Sequence, residues 1–278
     1  MSLPRHTIIQ ISDTHIVPEG DLLHGRVDTA ENLTSALEDV EKLSTPPDAV
    51  LLSGDLADTA DPAAYRRLRA IVEAFGERTG IPVLYAMGNH DERAAFRAGL
   101  LDADGVEPYD HVRMLGDLRL IVLDSTVPGK HHGELTEEQL SWLADELATP
   151  APGGTVLALH HPPMDSPIPL MDSVAFHGTA QLGEVLRGSD VRIVVSGHAH
   201  YPSAGLLGGV PVWISGASAY TQDVLIEQNG LRGVVGGAYT RIDVFEETAI
   251  ATSVPIGARE TVYEITIEQL KSYMEQES

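Results

Sequence analysis

Five short stretches of this chain place carboxylate, amide or imidazole side chains directly after apolar runs. They hold Asp13 and His15, Asp55 and Asp58, Asn89 with His90 and Asp91, His160 with His161, and His198 with His200. Each stretch alone is also an ordinary turn or cap, since Asn and Asp beside Gly form turns readily. The recurrence of one pattern at five strand ends is what points to a site, because ligands of α/β folds sit at strand ends. Asp13, His15, Asp55, Asn89, His160, His198 and His200 are seven oxygen and nitrogen donors with no sulfur, a set that suits Mn, Fe, Zn or Ni better than Ca or Cu(I). Seven donors exceed what one ion with an open position needs. Two ions roughly 3.5–4 Å apart, bridged by one carboxylate, would use them all and leave room for water and substrate. Asp55 is the expected bridge because it lies between the two ligand sets in chain order. Such a pair would hold a hydroxide of lowered pKa aimed in line at phosphorus.

Strands and helices must deliver these groups. The first strand, Thr7 to Ile11, leads into Ser12-Asp13-Thr14-His15, and residues two apart in extended chain point to one side. Asp28 opens a helix with Leu33, Leu37 and Val40 at helical spacing. A second strand, Asp48 to Ser53, runs into Gly54-Asp55, where the glycine permits a sharp turn. Asp61-Pro62 then caps a helix that ends before Gly80, and the strand Ile81 to Ala86 precedes Gly88-Asn89-His90-Asp91. A short helix from Glu92 to about Leu101, a strand Leu118 to Asp124 and a capping box at Thr136 to Gln139 follow. The strand Thr155 to Leu159 ends at His160-His161, whose side chains should point apart, so only one joins a shared site. The strand Val191 to Val195 ends at Gly197-His198-Ala199-His200. Beyond it, Val210 to Thr261 reads as antiparallel strands, with Tyr239 to Phe245 and Ala249 to Ile256 as a hairpin, and Thr266 to Ser278 as a polar helix.

Composition narrows the function. The 278 residues carry 41 Asp+Glu against 18 Lys+Arg, a net charge of -23, which argues against a broad nucleic-acid surface or attraction to anionic membranes. A phosphate substrate would need a local positive centre in that field, and a bound divalent ion is the strongest candidate. With no cysteine, disulfides and thiolate sites are excluded, and a reducing cytoplasm is the expected compartment. No basic segment followed by a long apolar run opens the sequence, and no run approaches the roughly 18 apolar residues of a spanning helix.

The ordered motifs DxH, GDxxD, GNHD, a His before Pro, and GHxH, across positions 13 to 200, resemble the calcineurin-like metallophosphoesterases. That resemblance implies an α/β fold of four layers, two mixed sheets face to face with helices outside. It also implies one metal held by Asp13, His15, Asp55 and His200 and another by Asp55, Asn89, His160 and His198. More closely, Ile11 to His15, Gly54 to Asp58, Pro62 to Arg66, Met87 to Asp91, Leu159 to Pro163 and Tyr220 to Asp223 resemble bacterial class III 3',5'-cyclic nucleotide phosphodiesterases, weakening past Asp223. Residues 1–223 are therefore expected to form the catalytic core, with 224–278 completing the sandwich or forming a small cap. The implied enzyme hydrolyses 3',5'-cyclic nucleotides such as cAMP, as a homodimer using Fe and Mn, with Zn, Co or Mg as alternative metals. Broader diesterase activity on 2',3'-cyclic nucleotides or glycerophosphodiesters, and a scaffold without chemistry, are the competing readings. The resemblance implies that His90 is catalytic and faces the phosphate, where its imidazole would stabilise the phosphoryl oxygens or protonate the departing 3'-oxygen, with Asp58 expected to hold the ring. Asn89, His90, His200 and, from the loop Val127 to Glu134, His132 are the expected substrate contacts. His131, His132 and the loop from Met164 to His177 are where the organic group would be read.

Overall fold

The computed structural model describes residues 3–226, 230–257 and 260–276. Eleven longer strands form its two main sheets: β1 (His6–Ile11), β2 (Ala49–Ser53), β3 (Val83–Ala86), β4 (His111–Leu115), β5 (Leu118–Leu123), β6 (Thr155–Leu159), β7 (Val191–Ser196), β8 (Ser203–Leu207), β9 (Val210–Ile214), β10 (Ala238–Val244) and β11 (Ala249–Pro255). The helices are α1 (Thr29–Glu41), α2 (Pro62–Thr79), α3 (Arg93–Phe96), α4 (Glu137–Leu147), α5 (Thr179–Leu186) and α6 (Ile267–Gln276).

One sheet has the order β11-β10-β1-β2-β3 and the other β8-β9-β7-β6-β5-β4. Both are mixed: β1 runs parallel to β2 and antiparallel to β10, and β5, β6, β7 and β9 run parallel while β4 and β8 close the edges antiparallel. Successive strand residues face opposite ways, so each nearly continuous apolar run serves two cores. Ile8, Leu51, Leu120, Val122, Val156, Ala158, Ile193 and Val195 meet between the sheets. Ile9, Ile11, Val50 and Leu52 turn outward to Leu33, Leu37, Leu68 and Phe75 of α1 and α2. Ile121, Leu123, Leu157 and Leu159 turn outward to Leu143 of α4 and to Leu182 and Leu186 of α5. Three cores between four layers follow directly, and this is the expected four-layer α/β sandwich.

Local signals hold where they were strongest. Asp61 caps α2 from its side chain, and Thr136 and Gln139 make both hydrogen bonds of a capping box on α4. The strands β10 and β11 pair as a hairpin at the edge of the first sheet, against β1. In one respect the antiparallel reading of the later segment is corrected: β9 lies parallel to β7, with Val212 beside Val194, and is antiparallel only to β8. The unexpected strand β8, Ser203-Ala204-Gly205-Leu206-Leu207, lacks an apolar alternation because it is an edge strand with neither face fully buried. A two-residue parallel ribbon, Gly133–Glu134 with Phe176–His177, ties the two loops that flank the strand ends.

Leu120→Ala, at a site with no exposed surface between the sheets, should lower unfolding stability by about 2–5 kcal/mol, read from the urea midpoint at unchanged slope. Leu206→Ala, at a side chain 74% exposed, should change it by less than about 0.5 kcal/mol.

Candidate metal centre and active site

The carboxyl ends of β1, β2, β6 and β7, with the turn after β3, converge on one cavity of about 230 Å³ lined by His15, Asp55, Asp58, Asn89, His90, His198 and His200 among others. Extended alternation does not bring these groups together. Asp13, His15, Asp55, His198 and His200 all have positive φ, from 41° to 68°, in the left-handed region that non-glycine residues rarely occupy. Such residues cost about 1–3 kcal/mol each and persist only where surroundings over-determine them. Here the surroundings are backbone hydrogen bonds. Asp13 N donates to Gly54 O at 3.0 Å, and His15 N to Asp55 O at 2.9 Å. His198 N donates to Asp13 Oδ1 at 3.0 Å, and His90 N to Asp55 Oδ1 at 2.8 Å. Gly54, at φ 96°, makes the sharp turn read from sequence, and a Cβ there would sit 2.3 Å from His160 Nδ1. At Gly88 a Cβ would sit 2.1 Å from Asp55 N, so these loops close on one another only through glycine.

Two donor groups result, Asp13 with His15 and His200, and Asp55 with His160 and His198. The same two residues apart that were expected to point one way, His198 and His200, thus serve different groups. Asp55 Oδ2 lies 3.6 Å from His15 Nε2 and 3.3 Å from His160 Nε2, between the two groups. The nitrogens turned inward are set by what the opposite nitrogens bind. His15 Nδ1 is 3.1 Å from Asp58 Oδ1, His160 Nδ1 donates to Ser53 O at 2.9 Å, and His200 Nδ1 to Tyr220 O at 3.2 Å. Each of these rings therefore presents Nε2 to the centre, and His15 and His200 bring theirs within 3.2 Å of each other. His198 is reversed: its Nε2 donates to Val174 O at 3.0 Å, which leaves Nδ1 inward.

Among the described residues, two buried atoms at this centre have no hydrogen-bond partner, His160 Nε2 and Asn89 Oδ1. Uncompensated buried polar atoms are costly, so a cation between them fits both. Among the described residues no Lys or Arg lines the cavity, and an anionic substrate would meet positive charge from them only on imidazolium, or else on a bound ion. The electrostatics agree with a site shaped for cations. Burial raises the Asp13 carboxyl, but His200 and His160 outweigh it and hold its pKa at about 2. Burial likewise raises Asp55, and His160 with His15 overcomes it, leaving the pKa well below the usual carboxylate range. Burial, then His160, push His198 down to about 4, so it stays a neutral donor.

The remaining expected residues divide. His161, fully buried, binds Ser125 Oγ at 2.8 Å and His131 O at 3.2 Å and is outside both groups, as strand alternation implied. Asp58 reaches His90 through its main-chain carbonyl, which accepts from His90 Nδ1 at 2.6 Å, while its carboxylate stands 3.9 Å away. That carboxylate orients His15, so Asp58 meets His90 as expected but by its carbonyl rather than its side chain. His132 is also displaced from its expected place: His131 lies over the centre, with its Nδ1 3.2 Å from Asn89 Nδ2, and His132 stacks on His177 with centroids 4.6 Å apart. Neighbours on an extended loop face opposite ways, and sequence alone does not say which faces in. Tyr220 was quoted only for resemblance, yet its ring stands 4.4 Å from His200 and walls the cavity with His24. Asp91, the carboxylate of the third stretch, joins none of the donor groups. Its carboxylate accepts from Gly88 N, Leu56 N, Ala57 N and the Tyr65 hydroxyl at 2.8–3.3 Å, fastening the Asp55 loop to the Asn89 loop.

The four-layer sandwich with His and Asp donor groups at its strand ends is a phosphoesterase architecture, and the chain belongs to the calcineurin-like phosphoesterase family, whose model matches residues 6–202. Among its relatives, the cAMP/cGMP dual specificity phosphodiesterase of Mycobacterium tuberculosis is 45% identical over 261 residues, covering 93% of this chain and 82% of that protein. An alignment of that length runs well past Asp223, where the resemblance was expected to weaken. The 3',5'-cyclic adenosine monophosphate phosphodiesterase CpdA of Escherichia coli K12 is 32% identical over 197 residues, 70% of each chain. A structure assigned as a 5'-nucleotidase from Staphylococcus aureus superposes with a TM-score of 0.54 at 14% identity, over 98% of this chain and 58% of that one, a likeness of fold alone.

Asp91→Asn replaces an acceptor-only group by one whose amide would face backbone donors, and should cost about 1–3 kcal/mol in urea unfolding. A loss below about 0.5 kcal/mol would show that Asp91 does not fasten the two loops.

Proposed function

We propose that this protein is a di-metal phosphodiesterase that opens 3',5'-cyclic nucleotides to 5'-nucleoside monophosphates. The observation that carries the reading is Asp55 Oδ2 shared between His15 and His160, beside His90 in one cavity. Asp13, His15, Asp55 and His200 are the donors for one ion, and Asp55, Asn89, His160 and His198 for the other. Iron and manganese are the proposed metals, and a cytoplasmic homodimer with residues 1–223 as its catalytic core accompanies the proposal. The names of the M. tuberculosis and E. coli relatives, which specify cAMP, support the substrate class. Ions bound here supply Lewis-acid charge to the phosphoryl oxygens and a water of lowered pKa.

The chain's own groups do the rest. Burial lowers the His90 pKa, but the Asp55 charge and the Asp58 carbonyl outweigh it and leave it raised. With Nδ1–H held by Asp58 O, Nε2 is the ring nitrogen free to face substrate. As the water oxygen bonds to phosphorus and the bond from phosphorus to O3' breaks, His90 gives its Nε2 proton to the departing O3', and the proton lost by the water passes to solvent. Asn89 and His200 bound the phosphate, and Tyr220 and His24 supply an apolar wall for the nucleoside. Asp58 acts as a positioning residue, holding His15 by its carboxylate and His90 by its carbonyl.

With manganese-loaded protein, kcat/KM for 3',5'-cAMP should exceed that for 2',3'-cAMP, glycerophosphocholine and a nitrophenyl diester, and all activity should vanish on chelation. Faster turnover of 2',3'-cAMP or glycerophosphocholine would keep the chemistry and replace the substrate.

His90→Ala should keep both metal equivalents while kcat falls by about 10²–10⁴. In Asp55→Asn, which keeps the side-chain shape, metal content should drop; an unchanged content would remove Asp55 from its bridging role.

A further inference from the structure

Besides the groups at the centre, which include His15 with Asp58 and His90, one donor group lies apart from it, formed by His132, Glu134 and His177, with one ligating atom of each within 4.8 Å of the others. Its geometry follows from the ribbon. Glu134 and His177 are registered side by side across the parallel pairing and so share one face, and His132, in the bend just before the ribbon, is brought to the same side by stacking on His177. Gly133 and its registered neighbour Phe176 take the other face. Phe176 is 7% exposed, and a Cβ on Gly133 would sit 2.3 Å from His161 Cγ, so the inner face is pressed on the His161 ring. The backbone beneath is pinned as well: Gly133 N donates to Ala175 O at 3.2 Å and Glu134 N to Ser125 O at 3.1 Å.

On the outer face the rings of His132 and His177 stack at 4.6 Å and 20°, with the Glu134 carboxylate alongside. No described residue hydrogen bonds or ion pairs with any of these three side chains. We propose that His132, Glu134 and His177 bind one Zn²⁺ ion as a separate site that clamps together the two loops flanking the centre. Two imidazoles and a carboxylate are a common zinc donor set that leaves a position for water, and the pinned ribbon supplies them from one rigid face.

The clamp has a route to the centre. His131, next to His132, meets Asn89, and Val174, three residues before His177, accepts from His198 Nε2. The two loops so joined are those expected to read the organic group. The expected total of three equivalents rests on the two-ion centre proposed above, whereas the difference of one equivalent between the intact chain and a variant does not.

Equilibrium dialysis against excess zinc, with metal counted by mass spectrometry, should find three equivalents on the intact chain. His177→Ala and Glu134→Gln should each hold two, since neither touches the centre. Amide exchange at residues 131–134 and 174–177 should slow on zinc saturation of the intact chain and not in His177→Ala. Equal metal counts on the intact chain and on either variant, or equal exchange with and without His177, would each overturn the proposal.

Discussion

One buried carboxylate constrains the centre. Asp55 Oδ1 accepts the His90 backbone amide, while Oδ2 faces His15 on one side and His160 on the other. The Asp55 backbone carbonyl also takes the His15 amide. Strand ends from both sheets are thereby held to one side chain, and the left-handed backbone at Asp13, His15, Asp55, His198 and His200 is the strain that this convergence imposes. Such strain survives because the sandwich beneath it is rigid. Three close-packed cores fix the strand ends, and Asp91 closes the remaining gap with four donors to one carboxylate.

The electrostatics follow from the same packing. Buried carboxylates and imidazoles are crowded without a Lys or Arg among the residues lining the cavity, in a chain of net charge -23. Two sets of inward-facing nitrogens and an unpartnered Asn89 oxygen make cations the complement of this pocket. Because Nδ1–H of His15, His160 and His200 is turned to Asp58, Ser53 and Tyr220, the metal-facing nitrogen is chosen by neighbours outside the centre. His198 shows the same rule with the opposite nitrogen, since Val174 holds its Nε2.

The walls belong to loops whose conformation is a tertiary matter. The ribbon between Gly133–Glu134 and Phe176–His177 joins segments more than forty residues apart and presses against His161, which in turn lies 4.7 Å from His198. Loop geometry and donor geometry are therefore not independent here. A shift in the ribbon reaches Asn89 through His131 and His198 through Val174.

The sequence by itself determined the strands and the polar residues that follow them, while the four-layer arrangement came only with the resemblance. Apolar runs of five or six residues ending in Asp, Asn or His mark strands that lead into a shared edge, and a run buried on both faces reads the same before and after folding. The caps at Asp61 and Thr136 were equally legible, because a cap is satisfied within three residues of itself. What only the tertiary structure decided is everything that depends on partners distant in the chain. Spacing suggested that Asp13 and His15 share a face by extended alternation, whereas left-handed turns place them, held by the Gly54 and Asp55 carbonyls some forty residues on. From sequence His132 is the expected loop contact, whereas His131 meets Asn89, and sequence does not say that Asp58 holds His90 by its carbonyl. Local periodicity encodes which side of a regular element a residue occupies; at a strand end the regular element has stopped, and long-range hydrogen bonds choose the direction.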